Sequence, residues 1–433
     1  MSALPPGWVA AQLDELAEVR LGRQRSPKNH TGDRMRPYLR AANVTWSGLD
    51  LSDVKEMQFT TAESEVYELE PGDVLVAEAS GSESEVGKAA LWRGQIDQCC
   101  FQNTLLRVRT RGPLSEYLFQ FLRAEAVNGS LGRAARGVGI HHIGAHRLAV
   151  WQVPLPPLAE QRRIVAVIEE LLSRVDASHG SLTHALSSLE ALRSELLMRA
   201  LAAWPERQLG EFSNVYVGAT PSRRSSELWD GGVPWVSSGE VAFCRIRETR
   251  ETISPAAVTS PDRLHPPGTV LLAMIGEGKT RGQAAILEIA AAHNQNSAAI
   301  RLDSGQCLPE WLYYVFVARY DQTRAAGAGG QQPALNRARV SGIGVPLPPL
   351  QAQRRIVAEL ERQLSIIDAM QAAITNAKGR SEQLRRSILE LAFSGKLVPQ
   401  DPDDEPASVL LERIRAERAA AAPVRGRRAR AGG

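Results

Sequence analysis

The chain has 433 residues, 43% of them hydrophobic and 23% charged, with a formal net charge of +3. This is the composition of an ordinary globular protein with room for about two or three domains. It excludes a chain built around a membrane span: no apolar run approaches the ~18 residues one needs, and no charged-then-apolar leader opens the sequence. Cys99, Cys100, Cys244 and Cys307 show no CxxC spacing, which fits inert thiols in a reducing cytosol rather than a metal site.

Residues 1–152 read as mixed α/β with short elements. Trp8–Gly22 opens as a strand or a helix and runs into a basic, proline-containing loop. Pro37–Val44, Asp73–Ala79, Gly87–Trp92 and Phe101–Arg109 have the short apolar character of strands bounded by turn residues. Leu114–Ala126 carries Leu, Tyr and Phe at helical spacing, and the Gly-, Arg- and His-rich stretch Gly129–His146 reads as loops.

The segment Val153–Ala177 then appears twice. Its second copy, Val345–Ala369, matches at 17 of 25 positions without a gap and at an offset of 192 residues. A repeat at that distance is a duplicated domain-plus-helix unit rather than a solenoid. Residues 204–344 follow the order of 1–152. Gln12-Leu13, Val19 and Gly22 recur as Gln208-Leu209, Val215 and Gly218, and Pro-Tyr-Leu at 37–39 recurs as Pro-Trp-Val at 234–236. Gly87–Leu91 matches Gly282–Ile286, Gln102-Asn103 matches Gln295-Asn296, and Glu116-Tyr117-Leu118 matches Glu310-Trp311-Leu312. The two globular units therefore share a fold and differ in most side chains, which suits two readers of different targets. The matched Gln-Asn pairs read as structural turns.

After each globular unit a PLPPL segment leads into a long helix, expected to begin near Ala159 and Gln351 because proline suits a helix start and not its interior. In the first helix Ile168, Val175, Leu182, Leu189 and Leu196 hold one heptad position, with Ile164, Leu171, Ala185 and Leu192 in a second row. In the second helix the rows are Leu360, Ile367, Ile374 and Ile388, and Ile356, Met370, Ala377, Leu384 and Leu391. Sustained apolar rows of this kind predict a coiled coil, with each rod roughly 65 Å long at ~1.5 Å per residue. The expected fold class is α+β: two similar mixed α/β domains separated by two long helices that form an antiparallel coiled coil, a pseudo-twofold monomer. The domains are 1–152, 153–203, 204–344 and 345–398, then a tail, 399–433, with a short helix at Ser408–Ala420 and an Arg-rich end.

Charge is distributed unevenly. Arg20, Arg23, Arg25, Lys28, Arg34, Arg36 and Arg40 stand against Asp33 alone, whereas eleven acids between Asp50 and Glu85 stand against Lys55 alone. The basic stretch reads either as a phosphate-binding face or as a solvated loop. The segment Ala273–Thr280 (AMIGEGKT) resembles a phosphate loop, but Ala273 stands where glycine is needed and strand-like residues follow the Lys-Thr pair. His141, His142 and His146 lie among glycines and have no carboxylate or cysteine beside them in sequence, so a DNA-touching loop or plain turn polarity fits better than a metal site. No catalytic motif is found, and the chain reads as non-enzymatic.

PLPPLAEQRRIV and PLPPLQAQRRIV, each opening a long helix after a small α/β unit, resemble the conserved regions of type I restriction–modification specificity (S) subunits. Gly218–Val241, Gly329–Leu350, Gly137–Leu148 and Leu384–Arg418 are similar to the same family, so the resemblance covers essentially the whole chain. It implies a non-catalytic DNA-recognition subunit in the cytoplasm. Each globular unit would be a target recognition domain reading half of a split, asymmetric site in double-stranded DNA. The helices would dock two modification subunits, which carry S-adenosylmethionine and methylate adenine, and two restriction subunits that use ATP and Mg can join them; no cofactor is expected on this chain. A methylation-only system, or a coiled-coil scaffold that reads no DNA, are the alternatives.

Readout of bases and phosphates calls for basic and amide or hydroxyl side chains. On that ground the expected DNA contacts are Arg20, Arg23, Arg25, Lys28, Arg40, Asn43, Lys88 and His141 in the first domain. In the second they are Arg223, Arg224, Ser237, Ser238, Lys279, Arg281 and Gln331. Arg162-Arg163 and Arg354-Arg355, identical in both copies, are expected on the partner face.

Overall fold

The computed structural model describes residues 4–110, 112–137, 139–276, 278–303, 305–326 and 334–421. The chain forms two compact units, residues 1–181 with 377–433, and residues 182–376. The division falls inside both long helices, Leu158–Leu201 and Leu350–Phe393. Each unit is therefore one globular domain with half of each helix.

In the first unit the central sheet has four antiparallel strands in the order Ala17–Leu21, Leu105–Thr110, Val74–Ala77, Ala89–Leu91. Its strands are short runs of Val, Leu and Ala, and Val74, Val76, Leu106 and Val108 turn one face into the core beneath the helix Ser115–Val127. The second unit repeats this arrangement with Ser213–Val217, Ser297–Leu302, Val270–Ala273 and Ala284–Leu287, and adds Cys244–Ile246 in parallel at the edge. The helix Pro309–Ala318 covers it. Each unit also holds a three-stranded sheet whose middle strand pairs parallel on one side and antiparallel on the other. The middle strands are Met35–Leu39 and Trp229–Val236.

Several sequence expectations are refined. The stretch 129–146 is not all loop: it holds the helices Ser130–Ala134 and Ala145–Ala149 and the strand His141–His142. Phe101–Arg109 is broken by a turn at Asn103-Thr104 into Cys100–Phe101 and Leu105–Thr110, which belong to different sheets. Pro37–Val44 likewise ends as a strand at Leu39. Gln295-Asn296 forms the turn that matches Asn103-Thr104, so the strand pairings shift the sequence match of Gln102-Asn103 by one residue. The segment after Ala273 returns as the strand Ala284–Leu287 with no helix after Lys279, so it lacks the architecture of a phosphate loop.

The repeated PLPPL segments are held by repeated side chains. Tyr117 Oη donates to the Pro154 carbonyl at 2.5 Å, and Trp311 Nε1, its counterpart, donates to Pro346 at 2.7 Å. Gln161 and Gln353, both buried, each donate to the carbonyl of a proline five residues earlier at 2.8 Å. The glutamine of the Gln-Arg-Arg motif is thus an internal clamp that satisfies an otherwise buried carbonyl. Gly22 and Gly218 are equally structural. A Cβ at Gly22 would lie 2.2 Å from the Gln102 carbonyl oxygen, and one at Gly218 would lie 2.1 Å from that of His293.

In the first unit, Ile168, Leu172 and Val175 of one long helix share a core with Ile388, Leu389 and Ala392 of the other. In the second unit, Leu189 and Leu197 pack with Leu360, Leu364 and Ile367. The pairing is antiparallel. In the first unit Asp176 meets Arg385 while Arg163 meets Asp404, beyond the second helix, and in the second unit Arg193 meets Asp368. The Asp and Arg of the two helix-to-helix pairs are again 192 residues apart. One heptad row is corrected in part. Ile164, Leu171 and Ile356 of that row pack into the cores, but Leu192, Met370, Leu384 and Leu391, expected in the seam, are 42–52% exposed. The seam continues instead through Leu172 and Leu364, four residues after Ile168 and Leu360. A two-helix seam closes over a narrow stripe, so only one of two flanking apolar rows can enter it.

The C-terminal helix Ala407–Ala421 belongs to the first unit. Ala407, Leu410, Leu411 and Ile414 join its core beside Trp8 and Leu13, and Arg415 pairs with Glu15 at 2.6 Å. No helix among the described residues is long and apolar enough to cross a membrane.

Candidate nucleic-acid interface

In the first domain the basic and acidic stretches meet each other. Arg23 pairs with Glu63 at 2.7 Å, Arg36 with Glu68 at 2.6 Å and Arg40 with Asp53 at 2.6 Å, and Lys88 pairs with Glu85. Arg20 is held at 2.5 Å by Glu18 on its own strand. Three cations of the run from Arg20 to Arg40 are therefore compensated by the acidic stretch, and Arg20 by Glu18. Arg23 is the extreme case: its side chain is 12% exposed and lies over the Phe59 ring, 5.0 Å from the centroid.

Asn43 is 2% exposed. Its amide donates to the carbonyls of Asp50 and Asp53 and its oxygen accepts from the Arg40 N–H at 3.0 Å. Asn43 organises the loop and turns its polar atoms inward, while the Arg40 guanidinium reaches the exposed Asp53. Arg25 and Lys28 are exposed on the loop after Ala17–Leu21, with Arg25 hydrogen-bonded to His30 at 3.1 Å. Lys88 lies over the Trp46 ring at 5.6 Å. His141 is half-buried in a strand paired with Ser80, and its neighbour His142 meets Glu78 at 2.9 Å.

In the second domain the loop after Ser213–Val217 carries two exposed cations, Arg223 and Arg224. Arg223 makes two hydrogen bonds to Glu251, at 2.5 and 2.9 Å, and stacks on Trp229 with its guanidinium 3.6 Å from the ring centroid. Trp229 in turn meets Trp235 edge-on at 5.1 Å. A planar guanidinium on an indole face keeps its remaining donors fixed in direction, which suits bidentate recognition. Arg224 is exposed beside it. Ser237 Oγ donates to Glu240 at 2.8 Å and Ser238 Oγ accepts from Asn294 at 3.5 Å, so both hydroxyls also brace the turn 237–240.

Lys279 is exposed, and its carbonyl accepts from Tyr320 at 2.5 Å. Arg281 is half-buried. Gln331 lies outside the described residues. Sequence reading missed Trp229, Trp235 and Glu251, although the tryptophans stand in the stretch Gly218–Val241. Their signal was two tryptophans following an Arg-Arg pair.

On the expected partner face, Arg162, Arg354 and Arg355 are exposed. Arg163 differs from its copy Arg355: it pairs with Asp404 of the C-terminal segment at 2.6 Å, which holds its guanidinium above the usual arginine range. The two Arg pairs are identical in sequence but not in use. The thiols of Cys99, Cys100 and Cys307 are pushed up to about 12 by burial, which makes them poor nucleophiles and ligands.

A repeated α/β frame, a helix seam shared by both copies and cation-bearing loops that differ between them define a two-headed recognition protein. The chain belongs to the type I restriction–modification specificity subunits: the family described as type I restriction modification DNA specificity domain matches residues 5–185 and 202–378. Such subunits are non-catalytic. The StySPI specificity subunit of Salmonella potsdam is 24% identical over 96% of both chains, and the EcoKI specificity subunit of Escherichia coli K12 is 24% identical over 96% of this chain and 97% of its own. Among solved structures, one from a study of complex assembly and conformational transition of the type I R-M system superimposes with a TM-score of 0.75 at 22% identity, covering 92% of this chain and all of the other. The HsdS subunit from Thermoanaerobacter tengcongensis gives 0.56 at 23% identity, covering 91% of this chain and 98% of the other.

Proposed function

We propose that each globular domain reads one half of a bipartite, asymmetric DNA site, and that the helices carry two modification subunits. The observation that carries this reading is one frame with two different faces. The parallel pairings of the two small sheets match, but the second domain presents Arg223 stacked on Trp229 where the first presents Arg25 and Lys28 on the corresponding loop. Unlike side chains on like frames specify unlike sequences, and base contacts rather than phosphate contacts carry that difference.

Arg162, Arg354 and Arg355 face modification subunits that hold S-adenosylmethionine and methylate adenine. Restriction subunits using ATP and Mg can join the same assembly, in the cytoplasm; a methylation-only system would lack them. Exposure of these arginines at the start of both long helices supports their place in docking, and Arg163 contributes through Asp404. The test is sequencing of methylated bases in cells that express the modification subunit with and without this chain. A methylated adenine motif of two specified blocks and an unspecified gap, present only with the chain, is expected. Its absence would remove the proposal.

A further inference from the structure

The two small sheets carry matched positions with unlike contents. Tyr38-Leu39 pairs in parallel with Cys100-Phe101 as Trp235-Val236 pairs with Ala292-His293. The next strand places Met57 opposite Arg36 and Ile253 opposite Val233. The Arg23 N–H donates to the Phe101 carbonyl and the Ala219 N–H to that of His293, so Arg23 and Ala219 also correspond.

The first domain fills the space beside this sheet with its own flat groups. Phe59 and Tyr67 lie 6.5 Å apart, Tyr67 and Phe101 lie 5.9 Å apart, and Arg23 covers Phe59. In the second domain the corresponding cluster has Trp229, Val233, Ala257 and Val258 packed against Trp235, Ile253 and Ala292, so its rings are Trp229 and Trp235, and small aliphatic residues take the place of Phe59 and Tyr67. What remains is a cavity of about 430 Å³, lined by Ala219, Leu228, Ile253, Ala257, Val258 and His293, with Thr220, Thr259 and Arg263 as polar additions.

We propose that this cavity in the second domain takes one unstacked nucleotide, its base in the apolar cleft and its phosphate on Arg263. The inference rests on the DNA-reading function above. Size permits it: an apolar cavity of ~150 Å³ already holds benzene, so this one has room for fused rings. Shape favours it, because the equivalent volume of the first domain is occupied by aromatic rings. The chemistry agrees. The walls are apolar, as base faces require, and two threonine hydroxyls stand beside them for a base edge. Arg263 is exposed, with a guanidinium suited to a phosphate.

His293 closes the back of the cavity. It is buried, with Nδ1 3.0 Å from the Asn294 carbonyl and 3.1 Å from Ser297 Oγ. The loop that roofs the cavity, Ala219–Leu228, also carries Arg223 and Arg224.

The test uses the full-length protein with each of the four 2′-deoxynucleoside 5′-monophosphates, read by saturation transfer to the base protons. Deoxyribose 5-phosphate serves as the control. Base-proton transfer is expected, at least tenfold weaker affinity in Ala257→Phe and in His293→Phe, and loss of the preference for nucleotide over nucleoside in Arg263→Gln. Two cavity variants are used so that misfolding of one, read by circular dichroism, leaves the other decisive. No base-proton transfer with any nucleotide, undiminished transfer in the folded variants, or equal displacement by deoxyribose 5-phosphate overturns the proposal. A second arm compares a duplex carrying one unpaired adenosine with a matched duplex, using the complex with the modification subunit. Tighter binding of the first, lost in Ala257→Phe, assigns the nucleotide to DNA; equal binding together with base-proton transfer assigns it to free nucleotide. Intact adenine methylation with no nucleotide binding sinks this inference alone.

Discussion

At the scale of single residues, burial decides what a polar side chain does. Asn43 looks like a base-reading amide in the sequence, yet all its hydrogen bonds close a loop. Asn43→Ala leaves two carbonyls and an N–H without partners and should lower unfolding stability by ~1–3 kcal/mol, measured by denaturant titration. Arg223 and Lys279 are the opposite case. Arg223→Ala should cost ~1–3 kcal/mol of site-specific binding by the assembled complex, and Lys279→Ala, if it meets a phosphate, should lower the salt slope by about one.

His265 and His293 add a pH response. Burial is the main cause that pushes His265 down to about 3 and His293 down to about 4. Arg301 Nε also donates to His265 Nδ1 at 3.0 Å, an acceptor that protonation would remove. The unfolded chain takes up protons at these histidines near pH 6.5 while the folded chain does not, so stability is complete above that pH and falls as pH drops towards 4. The loss is about 1.4 kcal/mol per histidine for each pH unit. Thermal melts between pH 7 and 5 should show this slope roughly halved in His265→Gln; an unchanged slope would contradict it.

At the scale of elements, the long helices were legible because proline entrances and apolar heptads are local signals. The seam was legible only in part. Leu364 is 6% exposed and Ile366 is 48% exposed, although both are apolar residues on the same helix. Leu364→Ala should cost ~2–4 kcal/mol, and Ile366→Ala less than about 0.5 kcal/mol, in the same unfolding assay. The repeated glycines are an element-scale signal as well. They mark where a strand end passes against the carbonyls of a turn with no space for a Cβ. The small strands and helices within 129–146 carried too few residues for a period to show, and only pairing with Ser80 or packing on the sheet defines them.

At the scale of the whole molecule, the C-terminal segment is a part of the first unit rather than an appendage. A chain ending at Lys396 would lose Val398, Ala407, Leu410, Leu411 and Ile414 from the core and uncover Trp8 and Leu13. At ~1.5–3 kcal/mol for each large apolar side chain, the shortened chain should be severely destabilised. Its soluble yield and melting temperature check this, and a chain ending at Ala421 keeps the whole of that core.

The sequence by itself determined the duplication, the two long helices, the mixed α/β character of each domain and the family. All of these rest on residue order, spacing and period, which survive without coordinates. Tertiary structure alone decided which charges remain for a ligand, because the acids that neutralise Arg23, Arg36 and Arg40 lie 13 to 40 residues away in the chain and meet them only in the fold. It also decided that one apolar row enters the seam, that Arg163 and Arg355 differ in their partners, and that a frame filled by rings in one domain is hollow in the other. Each of these depends on which side chains are brought within contact distance, and contact across strands and helices is not written in local sequence.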